Sequence, residues 1–382
     1  MTLRSCILIV FFLAFASAQG AEYTETATLD GAERVTIYNI AGRIEIFGAE
    51  PGAGRIEWTA HGEDTEALPA LTQTASGRTV VFRADYGDDT KSFVYPSAEY
   101  RRLNLEARYD GRKVRVRGDG RGVQAWMDMR IYLEPGQDLK YDLLAGPIEA
   151  EGVAAELDLR ARAGRIRSAD GQGDLNADTG SGSIEVFGHR GRVLADTGSG
   201  AVIMESVLGD VTADTGSGAI RLRGIDGEVR ADTGSGEVDL TEVNSGRVRV
   251  DTGSGGVRLD EVSGSLYVDT GSGSVRGRAI TAGSDLEIDT GSGSVDLSGD
   301  LAGVRHLRID TGSGSVDLST SVVPSLRLTV ETSNGGIRVD LPEMEMVRSE
   351  RNRLETTLAG GAGTGIIDTG SGSVTFRHGD AI

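Results

Sequence analysis

Cysteine is all but missing from this chain of 382 residues: Cys6 stands alone. It lies in the apolar stretch that ends at Phe15, ahead of the small-residue site Ala16-Ser17-Ala18. With Arg4 before it, that stretch has the form of a secretory signal peptide, too short to span a membrane. The mature chain is therefore expected to carry no disulfide and no thiol chemistry. Cys6 also precedes the cleavage point, where a lipid-attachment cysteine would stand. No later run is long and apolar enough to span a membrane as a helix.

Positive charge is scarce as well, with 39 Lys and Arg against 58 Asp and Glu, a formal charge of −19. The charge is one unit more negative once Arg4 leaves. That balance argues against a general nucleic-acid binder and against simple docking on anionic lipid. Proline is sparse, with 7 residues, and aromatics make up 5% of the chain, which leaves few platforms for sugar stacking. Glycine, at 56 residues, is in excess. Such a composition would suit disorder, but the apolar residues are too strictly placed for that.

What the chain has is Asp-Thr-Gly-Ser-Gly, beginning at Asp178, Asp196, Asp214, Asp232, Asp251, Asp269, Asp289, Asp310 and Asp368, with a softened copy at Glu331. The first seven intervals are 18, 18, 18, 19, 18, 20 and 21 residues. A period in this range marks a solenoid, each repeat one coil stacked on the last. In the coil at 307–318, Leu307, Ile309, Val316 and Leu318 alternate inward and Arg308, Asp310 and Asp317 outward. Thr311 continues the inward phase, and Gly312 and Gly314 are expected to supply positive φ at a sharp corner. A further apolar anchor recurs at Val207, Ile225, Val243 and Val262 before a smaller second corner.

These patterns predict an all-β fold, a parallel β-helix (β-solenoid) of about 11–12 coils, roughly 50–60 Å long at the inter-strand spacing. The repeat fades backward through Arg160 and Asp142. Residues 35–46 have the same form. Residues 1–18 are the signal peptide, 19–140 a β-rich N-terminal section that caps the coils, 141–340 the repeats, and 341–382 a cap insertion and final coil. Residues 344–358 are expected to form a short helix or a long loop.

With its early Val-x-Ile-x-Asn-x-x-Gly-x-Ile-x-Ile (35–46), Met129-Arg130-Ile131-Tyr132-Leu133-Glu134-Pro135-Gly136, and the closing Ile337-Arg338-Val339-Asp340-Leu341-Pro342, Arg353-Leu354-Glu355-Thr356 and Gly360-Gly361, the chain resembles a bacterial adhesin-like β-strand-repeat family, domain of unknown function 4097. The usual corner of that family, Thr-x-Asn-Gly, stands here only at Thr332. The resemblance implies a β-helix and an exported location.

Asp-Thr-Gly-Ser is also the active-site string of aspartic proteases, which need two carboxylates sharing one proton across a cleft. Copies at coil spacing stack in a column instead. Each Asp is expected to cap its own corner, accepting from the backbone N–H two residues on, with the inward threonines forming a hydroxyl ladder. The alternative is calcium held between successive corners by Asp178, Asp196, Asp214, Asp232, Asp251, Asp269, Asp289 and Asp310. A carbohydrate-active β-helix enzyme is a further alternative, but the outward residues Glu185, Ile203, Arg221, Asp239, Arg258, Arg276, Asp296 and Asp317 do not converge. His189, His306 and His378 are scattered, and the repeats hold few aromatics, Phe187, Tyr267 and Phe376. An acidic and aromatic cluster near Trp58, His61 or Trp126 would favour the enzyme. Inward threonines argue against an ice-binding array. The expected function is an exported, non-enzymatic, adhesin-like structural or binding protein of the periplasm or cell surface. It has no catalytic residue and no cofactor, no nucleic acid and no membrane span, and an unknown envelope or extracellular ligand.

Overall fold

A computed structural model describes residues 15–17, 20–63, 65–87 and 89–379. Most of the expected signal peptide lies outside the described residues. The chain divides into two compact units, residues 1–191 and 192–382. Both are β-solenoid, and among the described residues the one helical element is the 3-10 turn Ala98–Tyr100.

In the first unit, Arg34–Ala41 stacks in parallel on Asp138–Ala145, which stacks on Leu157–Ala163 and then Leu175–Thr179. Ile44–Gly48, Ile148–Glu151, Ile166–Ala169 and Ile184–Arg190 form the companion sheet. The register pairs Tyr38 with Asp142, Asp142 with Arg160 and Arg160 with Asp178, so the faded repeats seen at intervals of 18 are true coils. Residues before the first coil and between the first two add strands beside them. Val123–Leu133 runs parallel to Ile44–Gly48, then Arg55–Gly62 and Gly20–Thr28 follow antiparallel. Asn39 is fully buried on a ladder that continues through Leu143 and Ala161 to Thr179. Its Nδ2 donates to the Met127 carbonyl at 2.8 Å, and its Oδ1 accepts from the Tyr86 hydroxyl at 2.7 Å.

In the second unit the alternation holds as read. Val211, Ala213 and Thr215 are buried, as are Val229, Ala231 and Thr233, and Val248, Val250 and Thr252. One core ladder widens along the stack, from Ala195, Ala213 and Ala231 through Val250 and Val268 to Ile288 and Ile309. A larger residue fits where a neighbouring ladder shrinks. A Cβ on Gly277 would meet the Leu297 and Ile280 side chains. Interiors close-pack, so volume gained on one ladder is given up on another.

Three expectations fail here. The corner glycines Gly312 and Gly314 do not adopt positive φ. They are glycine because neighbouring coils approach too closely: a Cβ on Gly314 would lie less than 3.0 Å from the Gly293 carbonyl oxygen. The left-handed residue sits instead at the second corner, at Ser206, Gly224, Glu242, Glu261 and Ala279, one per coil. Residues 344–358 are neither helix nor loop. Met344–Ser349 and Arg353–Leu358 pair as an antiparallel hairpin, with Leu354, Thr356 and Leu358 buried in strict alternation, a period of two that no helix can bury. Stack order also departs from chain order at the end. Gly363–Thr369 lies between His306–Thr311 and Leu326–Thr332, so the softened Glu331 copy is outermost.

Candidate functional site

Threonine builds the corner. In successive coils the Thr233 hydroxyl accepts from the Gly236 N–H at 3.0 Å and donates to the Gly218 carbonyl at 3.0 Å. Thr252 accepts from Gly255 at 3.0 Å and donates to Gly236 at 3.2 Å. Thr270 and Thr290 repeat both contacts. The expected hydroxyl ladder is therefore present from Thr215 to Thr290, as a relay of hydroxyls and backbone groups that ties each of these coils to the one before. Aspartate does not cap the corner. The N–H two residues beyond it donates to the threonine carbonyl of the preceding coil, as Gly253 does to Thr233 at 3.2 Å and Gly312 to Thr290 at 3.1 Å. A side chain in the outward phase cannot reach an N–H already committed to the stack.

The carboxylates are left on the outer face. Asp196, Asp214, Asp232, Asp251, Asp269, Asp289, Asp310, Asp368 and Glu331 follow one another in register, one per coil. Partial desolvation raises the pKa of Asp214, Asp251, Asp289 and Asp368, and the like charges above and below raise it further. Arg230 pairs with Asp232 at 3.4 Å, and Arg308 with Asp310 at 3.3 Å. Among the described residues no group of three or more His, Cys, Asp or Glu is placed to hold a metal ion.

Asp178 belongs to the first unit, where its ladder carries mixed charge. Tyr38, Asp142, Arg160 and Asp178, with Arg83 and Arg108, line a pocket of about 290 Å3. Arg83 lies over the Tyr38 ring at 4.5 Å and pairs with Asp110 at 3.0 Å. Asp142 is half-buried, and desolvation raises its pKa against the opposing pull of Lys140 and Arg160. Sequence reasoning missed this pocket. Its one legible signal was the ladder position shared by Asp142 and Arg160, whereas Arg83 and Arg108 come from irregular strands.

An aromatic and acidic cluster does form at His61 and Trp126. The two rings stack at 4.7 Å, Tyr95 lies 6.3 Å from Trp126, and Trp58 is buried in the same sheet. The imidazole has Glu22 at 3.5 Å from Nδ1 and Asp128 at 3.2 Å from Nε2. Asp128 also accepts from the Arg43 backbone N–H at 2.7 Å, which holds the turn beside Gly42. The two carboxylates thus flank one imidazole at its two nitrogens. A glycosidase instead sets its two carboxyls across a scissile bond.

Residues 191–305 match the Toastrack family, DUF4097. The resemblance read from the sequence is borne out over that Toastrack stretch, which lies almost wholly in the second unit. Two solved structures are similar to the chain. A candidate cell adhesion protein from Clostridium sporogenes is 10% identical, with 94% of this chain and 99% of that one covered and a TM-score of 0.21. A candidate adhesin from Bacteroides fragilis is 9% identical, with 93% and 96% covered and a TM-score of 0.26. Likeness this slight carries no argument about function. No curated protein matches the chain. No helix among the described residues is long and apolar enough to cross a membrane.

Proposed function

We propose that the chain is an exported, non-enzymatic β-solenoid that serves as an adhesin-like structural or binding protein of the cell envelope, without a bound cofactor. The observation that carries this reading is the in-register ladder. Identical outward side chains recur one per coil on a backbone held by the threonine relay. Such a surface presents a fixed spacing of about 4.8 Å to an extended or repetitive partner. Its work is geometric, and recognition by a rigid array loses little conformational entropy on binding. The Toastrack match over residues 191–305 and the signal-like N-terminus are consistent with it.

The test is fractionation of a bacterial host expressing the whole chain, with N-terminal sequencing of the product. Processing near Gln19 and recovery from the periplasm or cell surface are expected. An unprocessed chain confined to the cytoplasm would refute the envelope reading.

A further inference from the structure

Net charge hides a local reversal. Between Lys91 and Arg121 the sequence holds nine Lys and Arg against four Asp and Glu, in a chain that is acidic overall. The fold gathers several of these cations on one face. Asn104–Tyr109 and Arg112–Arg117 form an antiparallel hairpin, and Ser92–Val94 pairs in parallel with its second strand. Val114 and Val116 point inward and are buried, so Lys113, Arg115 and Arg117 project together from the opposite face. With Lys91, Ser92 and Arg121 they line an open groove of about 850 Å3 in the first unit.

The groove is partly neutralised. Glu106 bridges Lys113, at 2.6 Å, and Arg115. Lys91, Arg117 and Arg121 have no carboxylate within ion-pair distance among the described residues. Arg117 donates to the Arg121 carbonyl at 3.0 Å, which Ser92 Oγ also reaches at 3.3 Å, so the wall that carries Arg121 is fixed. The shape and the missing chemistry narrow the partner. No aromatic lines the groove, which removes the platform on which unpaired bases stack. Among the described residues the exposed large apolar side chains, such as Leu208, Val347 and Ile366, all lie elsewhere, so the groove offers nothing to insert into a bilayer. A concave strip of cations spaced by strand geometry suits a single flexible polyanion.

We propose that this groove binds an acidic polysaccharide, holding its carboxylate or sulfate groups with Lys91, Arg117 and Arg121. The site uses no repeat residue, so its failure would leave the envelope reading standing, and the converse also holds.

The test is titration of the full chain with heparin and with polygalacturonate over a range of salt. Single-stranded DNA and phosphatidylglycerol vesicles serve as competing anions. Binding to at least one polysaccharide should weaken as salt rises. The triple variant Lys91→Ala/Arg117→Ala/Arg121→Ala should lose that affinity and flatten the salt dependence by about one unit in log K against log salt per cation removed. Its circular dichroism should match that of the parent, with at most a small drop in melting temperature from the lost Arg117 contact to the Arg121 carbonyl. A response to heparin alone assigns sulfate as the recognised group, and a response to polygalacturonate alone assigns carboxylate. Both keep the proposal. Absence of binding to either, equal binding by the triple variant, or tighter binding of DNA or vesicles through these same residues would overturn it.

Discussion

Replacing Thr252 by valine isolates the corner relay. Valine keeps the shape and β-branching of threonine but removes the hydroxyl. Thr252 is 1% exposed, so neither orphaned partner gains easy access to water. Two backbone groups lose their contact, the Gly255 N–H at 3.0 Å and the Gly236 carbonyl at 3.2 Å. An unsatisfied buried polar group costs about 1–3 kcal/mol, so the pair costs about 2–6 kcal/mol. The added methyl group returns about 0.8 kcal/mol. A net loss of about 1–5 kcal/mol remains, the upper end being reduced by backbone relaxation. Thr252→Ser keeps both contacts and loses one methyl group, about 1 kcal/mol. Urea unfolding, read as midpoints at unchanged slope, should therefore rank threonine above serine and serine above valine. Hydrophobic burial alone would place valine first. A valine variant as stable as the serine variant would refute the relay as a source of stability.

Asp251→Asn should stabilise the fold slightly at neutral pH, by about 0.5 kcal/mol or less for a surface site that solvent partly screens. Desolvation and the charges of Asp232 and Asp269 raise the Asp251 pKa above its ordinary 3.8, so the native state holds that proton more tightly than the unfolded chain. The contribution of Asp251 to stability thus falls as pH rises through that range. Melts at pH 7 and near pH 3 should show the advantage of asparagine only at the higher pH. Gly293→Ala should prevent correct stacking, because its Cβ would lie less than 3.0 Å from the Gly273 carbonyl oxygen; a soluble variant with the parent's circular dichroism would contradict this. Thermal melts in excess calcium and in excess chelator should coincide, since no three-ligand acidic group occurs among the described residues. A calcium-dependent rise would instead assign the Asp column to metal through linkage.

The repeat spacing made the stack legible because each interval is also a register. Asp196 to Asp310 pair coil by coil as the sequence spacing implies, and Thr215, Thr233 and Thr252 face inward as the alternation requires. Local pattern could not say why the glycines recur, since positive φ and close backbone approach select the same residue. It also gave no hint of the left-handed residues at Ser206, Glu242, Glu261 and Ala279, where the stack imposes a conformation these types seldom choose. Asp368 reads like one more coil in sequence order. Only tertiary pairing places it between Asp310 and Glu331. The groove at Arg117 was invisible for a different reason, and the pocket at Asp142 showed only through the ladder position of Asp142 and Arg160. The groove, and the Arg83 and Arg108 side of the pocket, come from the irregular strands that precede the repeats, and a chain-wide charge averages the groove away.

Stacked parallel coils have one weakness, a terminal strand whose free edge can recruit another chain. In the second unit that strand is Leu326–Thr332, and the hairpin of residues 344–358 answers it by running Arg353–Leu358 antiparallel along the exposed edge. Outside it lies Met344–Ser349, which is largely exposed and carries Glu345 and Arg348, charges that discourage further pairing. The softened copy at Glu331 fits the same logic. Arg353 pairs with Glu331 and Glu355, so the last carboxylate of the column is neutralised by its own cap. Replacing residues 343–361 with a short Gly-Ser linker should leave the inner coils folded, because Gly363–Thr369 is still held by His306–Thr311. It would uncover the Leu326–Thr332 edge. Light scattering should then show concentration-dependent association with little loss of β signal in circular dichroism. A monodisperse, fully folded deletion variant would mean that the edge needs no cover and that the hairpin has another task.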